Sequence, residues 1–107
     1  MKIPIRSEAS IERMFTKMLR DAKLKNTKMR MGEGWPDRLV LLPSSRVMWV
    51  ELKREDAVLS ALQAARVDEL RAIGHDVRVC HGPEAARTVA REIIMLYASM
   101  LAQRVRR

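Results

Sequence analysis

Apolar positions along this chain follow two rhythms. Across residues 7–24, Ile11, Met14, Phe15, Met18, Leu19 and Ala22 recur every three to four positions, and Glu12, Arg13, Lys17 and Arg20 fill the other faces. That period draws one apolar stripe down a helix, and Ser7 stands where an N-cap belongs. Residues 25–31 are basic and fit either a short strand or a loop. Gly32, Gly34 and Pro36 then break the chain. The runs 38–42 and 47–53 are strand-like, and Pro43, Ser44 and Ser45 between them predict a hairpin. Helical spacing returns over residues 60–73, with Leu62, Ala65, Leu70 and Ile73 expected to face inward and Gly74 as the terminating glycine. Residues 76–80 read as another strand, and Gly82-Pro83 as another break. Residues 84–105 read as a last helix, with Val89, Ile93, Leu96, Met100 and Leu101 on one face.

The order is therefore helix, two or three strands, helix, strand, helix. The run 47–53, the second helix and the run 76–80 make one right-handed βαβ crossover. The expected fold class is α/β, a mixed central sheet flanked by helices. A length of 107 residues suits one domain, 1–107, with one modest core.

Composition sharpens this picture. Hydrophobic residues make up 48% of the chain and aromatics only 4%, so the core is expected to be aliphatic, with eight methionines as gap fillers. The net charge of +8 suggests a polyanionic partner, nucleic acid first among them. The single cysteine, Cys80, rules out an internal disulfide and a zinc site built on cysteines, and reads as a buried small residue. Residues 1–6 lack the apolar stretch of a signal peptide, and no segment approaches the ~20 apolar residues that span a bilayer. The expectation is a cytoplasmic protein with no membrane partner.

The candidate chemistry follows from strand geometry. Side chains alternate along a strand, so Glu51 and Lys53 share one face. Counting back through the hairpin puts Asp37 opposite or beside Glu51. Two carboxylates brought together repel unless a cation neutralises them, and a hard ion such as Mg²⁺ accepts one or two carboxylates plus waters. Lys53 adds a compact positive charge suited to a phosphate oxygen or an attacking water. The plainer reading is an Asp in a turn after Pro36 and a solvated charge ladder at a strand end. Against it, Glu51 directly follows the apolar run Val47-Met48-Trp49-Val50, which marks a buried strand.

The string Gly-Trp-Pro-Asp-Arg-Leu-Val-Leu-Leu at 34–42, followed by Val-Glu-Leu-Lys at 50–53 and then Gln63, resembles the VRR-NUC family of the PD-(D/E)XK nuclease superfamily. Ser7-Glu8-Ala9-Ser10-Ile11-Glu12 and the Leu-Arg-Ala-Ile-Gly stretch at 70–74 extend the match over residues 8–80. The resemblance implies a restriction-endonuclease-like core and phosphodiester hydrolysis dependent on Mg²⁺ or Mn²⁺. Stand-alone members of this size occur largely in phages and bacteria, which places the protein in a bacterial or phage-infected cell. They are associated with branched DNA such as Holliday junctions and with homodimers. Carried over by position, Asp37 is the central metal ligand, Glu51 the second carboxylate, and the Leu52 carbonyl completes the protein's share. Lys53 positions or activates the attacking water.

Glu12 matches the family's N-terminal helix acid, reaching the metal shell through water or holding Lys53. Glu8, one turn earlier, is the alternative. Gln63 matches the family's glutamine on the second helix, but Ser60-Ala61-Leu62-Gln63 is also a capping box. Lys28, Arg30 and Arg38 are the candidate nucleic-acid contacts. The Gly32-Glu33-Gly34 loop departs from common relatives, which tend to be basic where Glu33 stands. Trp35 either packs beneath the site or stacks on a nucleotide, with packing preferred, and His75 and His81 read as structural. Two other classes compete with the enzyme. One is a DNA-binding module on a degenerate nuclease fold, and the other is a basic nucleoid or virion protein.

Overall fold

A computed structural model of the chain describes residues 4–105; Arg106 and Arg107 of the basic tail lie outside the described residues. Seven elements follow one another: α1 (Glu8–Asp21), β1 (Lys25–Lys28), β2 (Arg38–Leu41), β3 (Val47–Lys53), α2 (Ala61–Ala72), β4 (Asp76–His81) and α3 (Gly82–Val105). The basic segment after α1 is thus a short strand. Ser7 caps α1, its hydroxyl accepting from the Ser10 N–H at 3.1 Å. The last helix starts at Gly82 rather than 84, because Pro83 tolerates a first-turn position where no N–H partner is needed.

The sheet has the order β1-β2-β3-β4, antiparallel between the first three strands and parallel between β3 and β4. The β2–β3 hairpin turns through Ser44 and Ser45, both at positive φ (60° and 63°). Leu42 N–H closes the turn onto the Arg46 carbonyl at 2.9 Å. Two consecutive left-handed residues give the turn the twist that matches the flanking strands. The helix α2 carries the chain from β3 to its parallel neighbour β4.

Strand alternation splits the core in two. Met48, Val50 and Leu52 of β3 face α1 and α3, where Ile11, Phe15, Leu19, Ala86, Ala90 and Ile93 are all fully buried. Trp49 faces the other way, against Val67 and Leu70 of α2 and Val77 of β4. Cys80 is buried in the larger cluster, which holds its thiol up at a pKa of about 11.

On α2 the inner face differs from the one read from sequence. Val67 and Leu70 are buried, whereas Leu62 (45% exposed), Ala65 and Ile73 (75% exposed) are on the outside. The helix is rotated so that the stripe Gln63–Val67–Leu70, at spacings of four and three, meets the sheet. Leu101, on the apolar face read for the last helix, is 39% exposed near the end of α3. Among the described residues no helix is long and apolar enough to cross a membrane.

Candidate active site

The last antiparallel pair of the hairpin is Arg38 opposite Val50. One step further, Asp37 and Glu51 come together. The backbone N–H of Asp37 donates to Glu51 Oε1 at 3.2 Å, and the Leu52 N–H donates to Asp37 Oδ2 at 3.1 Å. Each acid is therefore held by the main chain beside the other. The Asp37 carbonyl in turn accepts from the Met29 N–H at 2.8 Å, which ties this corner to the chain leaving β1. Glu51 is 2% exposed, the one buried charged residue among the described residues.

Alternation puts Glu51 and Lys53 on the α2 face of the sheet, and the rotation of α2 brings Gln63 to them. Gln63 Nε2 donates to Glu51 Oε2 at 3.3 Å, and Lys53 Nζ donates to Gln63 Oε1 at 3.2 Å. The same Oε1 accepts the Ser60 N–H at 2.9 Å, while Ser60 Oγ accepts the Gln63 N–H at 3.1 Å. The capping box and the bridge to the acids are thus one arrangement. A glutamine at this position of the helix start has its backbone satisfied by the cap and its amide directed at the strand.

Glu12 lies elsewhere. Arg38, Val40, Lys28 and Asn26 share the α1 face with Val50 and Met48, by the pairing register. On that face Glu12 accepts from Arg38 Nη1 at 2.9 Å and from Lys28 Nζ at 3.3 Å, whereas Lys53 donates to Gln63 on the other face. Asn26 Oδ1 fixes the same guanidinium at 3.0 and 2.7 Å. Asn26 was not singled out by its sequence context; its position two residues before Lys28, on the same strand face, is the signal that points to it. Arg30 is exposed on the loop after β1 and does not line the groove that holds Glu12, Lys28 and Arg38.

The electrostatics differ between the two faces. Burial, then the negative charge of Asp37, pushes Glu51 up to about 8, against the smaller pull of Lys53. Burial likewise raises Asp37, opposed by the Leu52 N–H and reinforced by Glu12. Glu8 adds its negative charge to the field at both acids, and Glu12 adds its own at Asp37. At Glu12 itself burial acts upward, but the hydrogen bonds from Arg38 and Lys28 outweigh it and lower the pKa. The pair Asp37–Glu51 is therefore short of positive charge, and the Glu12 cluster is not.

The donor chemistry suits a hard divalent cation. Asp37 Oδ1 accepts no hydrogen bond from the described residues and is not sealed from solvent, and the Leu52 main chain lies alongside. Among the described residues no three His, Cys, Asp or Glu side chains cluster as a metal cage. Two carboxylates with a carbonyl, the remaining positions left to water, is the set Mg²⁺ accepts.

The sequence matches the model of the VRR-NUC domain over residues 5–84. The chain belongs to the VRR-NUC family. A solved structure described as a VRR-NUC domain superposes with a TM-score of 0.70 at 19% identity, covering 78% of this chain and 95% of that one. No curated protein matches the sequence. VRR-NUC is a nuclease-type family, which supports nuclease chemistry, a divalent metal and DNA as the partner class. In this VRR-NUC domain Trp35 packs rather than stands free. Its ring lies 5.6 Å from that of Trp49, and the Arg66 guanidinium sits 4.6 Å above it. His75 Nδ1 pairs with Trp49 Nε1 at 3.2 Å, and His81 Nδ1 with the Ala57 carbonyl at 2.9 Å.

Proposed function

We propose that the protein is a DNA endonuclease that hydrolyses phosphodiester bonds with Mg²⁺ or Mn²⁺ held by Asp37, Glu51 and the Leu52 carbonyl. The observation that carries this reading is the pairing of the buried Glu51 with the partly buried Asp37, two acids locked side by side by main-chain hydrogen bonds with their pKa values raised. Holding like charges together costs free energy unless a cation joins them. When bound, the ion lowers the pKa of a coordinated water and polarises the phosphoryl oxygen.

The chain's own groups do the rest. Gln63 orients Glu51 and Lys53 at once through its amide. Lys53 carries the positive charge that positions the attacking water and offsets charge developing on the phosphate. Glu8 or Glu12 is the α1 acid at the site; Glu12 is engaged by Arg38 and Lys28 on the basic face, which leaves Glu8, one turn earlier, as the alternative. Lys28 and Arg38 meet phosphates next to the metal corner.

The reading extends to branched DNA, such as Holliday junctions, and to a homodimer, since two sites related by a two-fold axis suit paired cuts on a symmetric junction. The family resemblance supports both. The test is cleavage of labelled four-way junctions, flaps, splayed arms and linear duplex with Mg²⁺, Mn²⁺ or EDTA, wild type beside Glu51→Ala. Paired symmetric cuts that require metal and Glu51 are the expected result. Cuts confined to flaps or ends would remove the junction role, and binding without cleavage in either metal would overturn the enzyme.

A further inference from the structure

A groove of about 600 Å³ runs between α1 and β1, on the face of the sheet opposite Gln63 and Lys53. Arg13 and Arg20 line its helical wall, and Lys25, Lys28 and Arg38 line its strand wall. Glu12 is the one acid in the lining. Glu12 is engaged by Lys28 and Arg38, while Arg13, Arg20 and Lys25 form no salt bridge with any described residue. The groove thus presents a surplus of exposed positive charge along its length.

Its dimensions select a polymer over a small anion. Arg13 and Arg20 stand seven positions apart on α1, about 10 Å of helical rise. Arg13, Arg20, Lys25, Lys28 and Arg38 together offer more positive charge along the groove than one small anion balances, whereas a nucleic-acid strand places a charge every ~3.4 Å. Arg38 in the groove is the residue directly after Asp37, Lys28 pairs with Arg38 across β1 and β2, and the next N–H, that of Met29, donates to the Asp37 carbonyl at 2.8 Å. A backbone laid along the cations therefore leads to the metal corner.

We infer that the α1–β1 groove is a track for the sugar–phosphate backbone of one DNA strand, with Arg13, Arg20 and Lys25 as contacts remote from the site of chemistry. The inference rests on DNA as the substrate. The internal carboxylate of Glu12 holds Lys28 and Arg38 in place in the free protein and is the group that arriving phosphates displace from them.

The test is fluorescence anisotropy of a labelled duplex in EDTA, over a salt series, with cleavage in Mg²⁺ measured separately. Arg13→Ala/Arg20→Ala is compared with Arg46→Ala/Arg91→Ala, which removes the same charge from the β2–β3 turn and α3. The groove pair should weaken binding roughly tenfold or more and lower the salt slope by about two, since each phosphate contact contributes close to one unit. The control pair should change binding less than about twofold, because exposed charges more than a Debye length from the strand are largely screened. Arg13→Lys/Arg20→Lys should restore the slope, because the track reads charge, and melting curves confirm that each variant is folded. Equal losses in both pairs, or no loss in the groove pair, would overturn the track. Groove-dependent binding without cleavage would instead sink the nuclease reading while leaving the track intact.

Discussion

Glu51 and Gln63 are joined through a single hydrogen bond, Nε2 to Oε2 at 3.3 Å, and the other end of the Gln63 amide is already committed to Lys53 and to the Ser60 N–H. One side chain therefore starts α2 and orients two groups of the proposed site. The two duties are separable. A glutamate at this position of a capping box keeps the reciprocal bonds to the serine, but it loses the N–H that Glu51 accepts and sets a third carboxylate beside it. Gln63→Glu is expected to melt near wild type in Mg²⁺ while cleavage falls about tenfold or more, the worth of one hydrogen bond to a charged group. A melting temperature and a cleavage rate that fall in parallel would show that the residue acts only through the helix.

The raised acids make a prediction about pH. In the folded, metal-free protein Glu51 binds its proton more tightly than in the unfolded chain, with a pKa of about 8 against 4.5, and Asp37 shifts in the same direction. This contribution to stability is fully present below 4.5 and is lost as pH rises through about 8. Glu12, shifted downward, acts in the opposite sense below that window. Thermal unfolding in EDTA should therefore show a falling melting temperature across the window. Mg²⁺ should cancel the fall, because an ion bound only to the folded, deprotonated pair stabilises it. Glu51→Gln should flatten the EDTA curve and abolish cleavage. An EDTA curve that rises over the same range would contradict the electrostatics of the Asp37–Glu51 pair.

Gly34 holds the loop that delivers Pro36 and Asp37. Its φ is +83°, and a Cβ there would lie 2.6 Å from Leu62 Cγ and 3.2 Å from the Leu62 carbonyl oxygen. The Leu62 side chain is half-exposed and can swing away, but the helix backbone cannot. Gly34→Ala is expected to cost about 1–3 kcal/mol through the left-handed backbone and the crowded α2 start. Denaturant unfolding measures it; an unchanged midpoint would mean that the loop and α2 are not in close register.

The hairpin turn offers the reverse experiment. Ser45 sits at φ 63°, where a side chain is strained and glycine is not. Its neighbour Ser44 accepts from Arg104 Nη1 at 3.1 Å and is better left in place. Ser45→Gly matches the residue that two-residue hairpin turns of this type favour and should stabilise the fold by about 0.5–1 kcal/mol. A loss of stability on chemical denaturation would argue that Ser45 makes a contact the turn depends on.

Much of the site was legible along the chain because it is built from local rules. The alternation of β3 put Glu51 with Lys53, the hairpin count put Asp37 beside Glu51, and Ser60 with Gln63 spelled a capping box. The register and the hydrogen bonds follow those lines. Other features depended on which surface each element meets. Leu62, Ala65, Leu70 and Ile73 have helical spacing, yet so does Gln63–Val67–Leu70; only Leu70 belongs to both, and periodicity alone does not choose between stripes on a short helix.

The strand period of two, the turn after Pro43 and the caps of α1 and α2 are properties of a few consecutive residues, and for that reason the sequence by itself determined them. The tertiary structure decided on which side of the sheet each residue works. Glu12 packs on the α1 face and meets Lys28 and Arg38, while Gln63 packs on the α2 face and meets Lys53. That partition depends on which helix covers which face. It is set by the burial of Ile11, Phe15 and Leu19 against one side and of Val67 and Leu70 against the other, contacts that no local stretch of chain contains.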